Sequence, residues 1–396
     1  MFSNGKKYYL LLFMNFCLFM LVAPNIYAND FYSIQRLVQS GFNNPNIKEI
    51  NSLVYFKNAF YAGTYNSIDG SGIWRSTDET NWDIIQQTKN GFGDRNNIEI
   101  KDLNTWHGHL YATTKNSVTG VEIWRTSDGL HWNQVNIDGF GNTQTEYARE
   151  IVPFQEKLFV FTSNYDTGGE VWATNNGIQW NKINNPGFGN SNNTDLAAAL
   201  CFDGYLYTAT ENENDGVEIW RYNGSSWTRT AASGISDADN YFPMVLTNFE
   251  HNMYLSLENK VSQTEILRSR DGRNWKKIGG ATENPALHFV TMSEDSRLYG
   301  AALNSKNKLV TYESLDGKNW TPIQVRGALS ECEGAPVLSH NGNLYSISFI
   351  PNGDNSGSLV RLTRNEPTFD SKSMTLHIPS VLLDGKSRYK DILIPF

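Results

Sequence analysis

Three landmarks recur along this chain in a fixed order, and only a repeat architecture accommodates them. The first is a Leu-Tyr-like pair, at Phe60-Tyr61, Leu110-Tyr111, Leu158-Phe159, Leu206-Tyr207, Met253-Tyr254, Leu298-Tyr299 and Leu344-Tyr345. The step is about 47 residues, the length of one blade built of four strands. The second landmark is Trp74-Arg75, Trp124-Arg125, Trp172, Trp220-Arg221 and Leu267-Arg268, and the third is Trp82, Trp132, Trp180, Trp227, Trp275 and Trp320. In the second copy, residues 98–106, 110–115, 121–126 and 132–137 are short runs rich in Val, Ile, Tyr, Trp and Thr, separated by Gly, Asn, Asp and Ser. Such runs read as strands, and none carries a helical period. Four strands per copy over about seven copies predict an all-β chain, a seven-bladed β-propeller of four-stranded blades.

The seventh copy lacks a fourth strand, because Arg364-Asn365-Glu366-Pro367 stands where its Trp-containing run belongs. Near the N-terminus, Ile34, Leu37 and Gly41 repeat the spacing of Trp132, Val135 and Gly139. Residues 33–38 are therefore expected to supply the outer strand of the last blade and to close the ring without a covalent bond. The propeller is assigned to residues 29–370. Residues 371–396 lie outside the register and read as a C-terminal hairpin, with Asp384-Gly385 between two apolar runs.

Residues 1–28 have the form of a secretory signal peptide: Lys6 and Lys7, an apolar run over residues 8–23, and Ala28 at the cleavage position. An uncleaved anchor is the alternative, since the run approaches spanning length. Cys17 has no small-residue context for lipid attachment. Removing this segment takes away two lysines and no acid, so the net charge of −8 becomes about −10. That balance argues against nucleic acid and against anionic membrane as partners. Export followed by cleavage predicts a secreted or periplasmic protein without stable membrane insertion, taken as a monomer. Cys201 and Cys332 sit at different registers of copies four and seven, so no disulfide is expected. Sequons at Asn192, Asn223 and Asn319 matter only in a glycosylating host.

The turn before each closing Trp carries a further pattern: Ser127-Asp128-Gly129 before Trp132, Arg270-Asp271-Gly272 before Trp275 and Leu315-Asp316-Gly317 before Trp320. It resembles the Asp-box (BNR) repeat of sialidase-like β-propellers, one residue shorter between Asp and Trp. Asp accepts backbone N–H groups in such a turn, Gly takes a positive φ, and Trp packs beneath. The resemblance implies a propeller and allows a sialidase-like glycoside hydrolase. The family's early Arg-Ile-Pro motif is absent, however. Arg75, Arg125, Arg221 and Arg268 recur on third strands away from the axis and read as blade-packing residues or as partners of Glu122, Glu218 and Glu265. Arg149 alone lies on an inner strand, with Tyr147 beside Glu146 as the one hydrolase-like pair.

First strands line the axis of a propeller. Counting eleven residues back from each first landmark reaches Glu49, Glu99, Tyr147, Asp195, Phe242, Leu287 and Glu333, with Glu146 and Asp239 nearby. Glu49, Glu99, Glu146, Tyr147, Asp195 and Glu333 are the candidate ligand-binding residues at the channel mouth. Crowded carboxylates call for water, a cation such as Ca2+, or a basic ligand. The same face carries Asn-rich loops at 66–69, 164–166, 211–215 and 352–355, with Phe92, Phe140 and Phe188, a mix that resembles sugar-binding surfaces. His107 and His109 flank a turn on the other face without metal-ligand spacing. The expected role is non-catalytic binding of a glycan or an extracellular protein, with no catalytic residue assigned. Sialidase-like hydrolysis is the alternative, and a protein-interaction scaffold at the cell envelope is a third reading.

Overall fold

The computed structural model describes residues 31–231, 233–280, 287–294, 296–303, 309–326, 335–348, 357–365, 368–370, 375–382 and 389–395. The leader read at residues 1–28, the loop at 352–355, Cys332 and Glu333 fall outside them. Contacts divide the chain into two compact units, of which Tyr32–Arg364 is the larger.

Within that unit, Glu49–Phe56, Ala59–Tyr65, Ile73–Ser76 and Asp83–Ile84 pair in order as an antiparallel meander. The same meander recurs over residues 99–134, 145–182, 195–229, 240–280 and 287–322. The second strand of each blade packs on both faces. Lys157–Asn164 is buried at every residue after the first, which is why its sequence, KLFVFTSN, shows an apolar run in place of alternation. Apolar clusters fill the space between successive blades. One joins Tyr111, Val121 and Ile123 of the second copy to Ile151, Leu158 and Val160 of the third.

The last meander, Ala335–His340, Asn343–Ser348 and Ser358–Asn365, takes Phe31–Val38 as the next strand outward. The N-terminal segment thus stands where the sequence lacked a fourth strand, and a short strand, Gln324–Arg326, lies beyond it. First strands contact one another in cyclic order, starting at Glu49 and returning from Ala335–His340 to Glu49–Phe56. A shared core supports that last contact, with Val38, Ile50, Leu53 and Phe60 packed against Tyr345, Ile347 and Leu359. No sheet of the described residues closes on itself by hydrogen bonds.

In the smaller unit, Thr368–Asp370, Thr375–Leu382 and Tyr389–Pro395 form a three-stranded antiparallel sheet.

The tight turns explain two of the landmarks. Asp128 Oδ1 accepts the N–H groups of Leu130 and His131, both at 2.8 Å. Asp271 and Asp316 repeat this bonding, as does Asn176 in the third copy. Beneath the turn lies more than the Trp anticipated from the sequence. A Cβ on Gly177, at φ +74, would stand 2.1 Å from the Tyr111 hydroxyl of the preceding blade. Gly129 meets Tyr61 in the same way, at 1.9 Å. In the first copy Glu79 holds the glycine position at φ 69, and its carboxylate pairs with Arg361 of the last blade at 2.6 Å.

Candidate functional site

Backbone pairing draws a single row across four neighbouring blades. Glu49 opposes Tyr65, Tyr65 opposes Glu99, Glu99 opposes Lys115, and Lys115 opposes Tyr147. The row continues from Tyr147 to Ser163, Asp195 and Glu211. Adjoining blades touch here by single rungs between a second strand and the next first strand, and they splay apart farther out. Directly opposed residues project to the same face of a sheet, so the row gathers its side chains at one level. Glu49, Glu99, Tyr147 and Asp195 all lie on it. Glu146 does not, because it is the extra residue of an irregularity between Thr145 and Tyr147.

The side chains interlock. Tyr147 Oη donates to Glu99 Oε1 at 2.6 Å, and Asn51 Nδ2 donates to the same oxygen at 2.9 Å. Arg149 Nε donates to Asp195 Oδ2 at 2.6 Å, while its guanidinium lies 4.3 Å from the Tyr147 ring centre and 5.3 Å from that of Phe242. Burial, then the Glu99 carboxylate, pushes the Tyr147 hydroxyl well above its ordinary range. Burial is the largest single effect on Arg149 and opposes its charge, but Asp195, Tyr147 and Tyr165 together outweigh it and raise that pKa. Glu49 is raised by burial and then by Glu99. Deeper along the first strands, Asp102 and Glu150 are both raised, chiefly by burial. Glu211 is pushed up to about 7 by burial and then by Asp195.

Several sequence expectations change. Glu122, Glu170 and Glu218 pair with the indole N–H groups of Trp124, Trp172 and Trp220 rather than with third-strand arginines. Fourth-strand cations complete Glu170, Glu218 and Glu265, through Lys182, Arg229 and Lys277. Arg75 Nε instead donates to Tyr61 Oη. Phe92, Phe140 and Phe188 are half-buried. They stack on Trp124, Trp172 and Trp220 at 4.1, 4.4 and 4.4 Å, as Phe42 does on Trp74. The loop asparagines Asn66, Asn164 and Asn212 accept N–H groups two and three residues on, which is turn chemistry. Among the described residues no group of three or more His, Cys, Asp or Glu is placed to hold a metal ion. Three cations of the chain lie among these acids: Arg149 on Asp195, Lys101 at 4.0 Å from Glu99, and Lys115 over the Tyr147 ring.

Lys115 and Ser163 were absent from the residues read as the site, and Glu211 entered only as the first residue of the loop at 211–215. Their signal is positional, since each follows its landmark aromatic by four residues, as Tyr65 and Glu258 do.

The family model of the DUF6242 beta propeller domain matches residues 178–332. No curated protein matches the chain. Solved structures similar in fold include a catalytically inactive virginiamycin B lyase from Staphylococcus aureus with quinupristin, at TM-score 0.59 and 12% identity over 84% of this chain and 99% of that one. YCF48 bound to D1 peptide superposes at TM-score 0.58 and 9% identity over 84% and 97%. The β-propeller domain of the Trilobed protease from Pyrococcus furiosus, described by an open velcro topology, gives 0.50 and 8% over 80% and 97%. At these identities the likeness is one of fold. Strand order, family match and structural neighbours agree that this chain contains a β-propeller.

Proposed function

We propose that this protein is a secreted or periplasmic, seven-bladed propeller of the Asp-box type that binds a glycan or an extracellular protein at its channel mouth without turning it over. The row from Glu49 to Glu211 carries this reading. It brings carboxylates, a guanidinium and an aromatic ring to one level, and such convergence of polar groups is a feature of binding sites. Cyclic contact of the first strands supports the blade count. The Asp128, Asp271 and Asp316 turns support the Asp-box assignment.

A glycan array probed with the purified protein, with and without calcium, tests the reading. The expected result is retained protein, uncleaved sugars, no effect of calcium, and loss of retention in an Asp195→Asn variant that still melts cooperatively. Retention that survives this change would move the site elsewhere. The contact between Tyr147 and Glu99 favours sialidase-like hydrolysis as the second reading. Cleaved terminal sugars that disappear in Tyr147→Phe would establish it. Silence on the array directs the search to a protein of the cell envelope.

A further inference from the structure

Three oxygens in one stretch of the row have no hydrogen-bond partner among the described residues: Ser163 Oγ, Asp195 Oδ1 and Glu211 Oε2. Ser163 opposes Asp195 and Asp195 opposes Glu211, so the three side chains project to one face. Ser163 and Asp195 are fully buried, and Glu211 is half-buried. A buried carboxylate oxygen without a donor is costly and uncommon in a folded protein. Arg149 does not supply the donor: its Nε donates to the other oxygen, Oδ2, its guanidinium is held against two aromatic rings, and Oδ1 receives no hydrogen bond from it.

Charge points the same way. One guanidinium faces Asp195 and Glu211, and Glu213 and Glu258 add further negative charge near Glu211. The group that best completes this arrangement donates to the two carboxylate oxygens and carries positive charge. An alkylammonium has three N–H donors and no acceptor, one for each unpartnered oxygen. A neutral hydroxyl would leave the carboxylate charge uncompensated, and an anion would be repelled. At the rim stands Tyr165, 55% exposed, its hydroxyl close to Asp195, Glu211 and Arg149. Its ring offers a flank for a cation.

We infer that Ser163, Asp195 and Glu211 form a seat for a primary ammonium group, with Arg149 as the positioning residue for Asp195. The seat rests on the reading of the channel mouth as the binding face and names the chemistry it takes. Glu211 must be ionised to accept the ammonium. Its carboxyl, held at about 7, is faced by Asp195, Arg149, Glu213 and Glu258, with the Tyr165 and Tyr241 hydroxyls nearby. Ammonium binding therefore displaces a proton below neutrality.

Calorimetric titration of the purified protein with cadaverine, with Nα-acetyl-lysine amide and with the norleucine analogue of that amide tests the seat. Binding of an amine is expected at pH 8, weaker by about tenfold at pH 6, as one linked proton near pH 7 requires. Glu211→Gln is expected to weaken binding at pH 8 by about tenfold or more and to abolish the pH dependence. Tighter binding of the lysine amide assigns the ammonium to a protein side chain, and tighter binding of cadaverine assigns it to a small amine. No heat with either amine at pH 8, equal binding of the norleucine analogue, or an unchanged affinity in Glu211→Gln overturns the seat. A protein that keeps its array ligand but takes no amine loses the seat and retains the mouth. An array ligand indifferent to Asp195→Asn removes the mouth itself.

Discussion

The tyrosine of the first landmark reaches beyond its own blade. Tyr111 fills the space a side chain on Gly177 would occupy, with its hydroxyl 2.1 Å and its Cζ 3.2 Å from the ideal Cβ position. Gly177→Ala is therefore expected to cost about 2 kcal/mol or more, part from the positive φ and part from the overlap. In a Tyr111→Phe background the overlap is relieved and about 1 kcal/mol remains. Urea unfolding of the single and double variants checks this, and simple additivity would show that the two residues do not share a contact. The landmark itself was legible in the sequence because it repeats. What it touches was not, because the partner sits one blade on, at a separation that no motif within a copy encodes. The same limit explains Phe92 and Phe140, which looked like exposed aromatics until their Trp partners were placed. The partner of Glu122 was misread for a different reason. An arginine and a tryptophan are neighbours at positions 125 and 124, and strand alternation, not proximity in sequence, decides which one the carboxylate meets.

At the level of the element, the outer strand Phe31–Val38 is held by more than its ladder. Tyr32, buried between Tyr299 and Leu362, donates to Glu313 Oε2 at 2.9 Å. Tyr32→Phe is expected to destabilise by about 1–2 kcal/mol, since it removes a hydrogen bond to a buried carboxylate. Deleting residues 31–40 is expected to lower the melting temperature by several degrees, and an unchanged value would detach this strand from the last blade's stability. The strand's place was readable from a gap at one end of the chain and a matching spacing at the other. The Glu79–Arg361 pair was not, because it replaces a glycine that the repeat uses elsewhere, and a departure from pattern carries no label of its purpose. The mouth shows the opposite case. Its row follows from a register that stays constant over four blades, so Glu49, Glu99, Tyr147 and Asp195 could be aligned by counting alone. Arg149 falls two residues beyond that count, and its pairing with Asp195 needed the neighbouring blade in place.

The whole molecule carries two sets of acids that pull its pH response in opposite directions. Asp128, Asp271 and Asp316 are held below their ordinary range by hydrogen bonds, chiefly from the backbone; for Asp316 burial is the largest effect and opposes this, leaving it at about 2. Their contribution is present at neutral pH and is lost as pH falls through the folded values. Glu49, Asp102, Glu150 and Glu211 are raised, so the folded chain holds protons that the unfolded chain has released. Their contribution is full in mild acid and is lost as pH rises, through about 7 for Glu211. The melting temperature is therefore expected to peak at mildly acidic pH and to fall toward pH 8. Glu211→Gln should flatten that fall by about 1–2 kcal/mol after allowance for solvent screening. Calorimetric scans of both proteins from pH 4 to 9 give the comparison, and a wild-type curve rising steadily to pH 9 would contradict the assignment.

The strand that completes the last blade is made first and used last. Gln35 and Arg361 meet across 326 positions of chain. At about 5–20 residues per second, a ribosome needs roughly 16–65 s to bridge that gap. Throughout that time the N-terminal strand has no partner edge, and the edge it will cover does not yet exist. The seam is thus a clock as well as a fastener: the circle cannot be complete until the chain is nearly finished, so a chain halted early is left with a bare strand that only another molecule could cover.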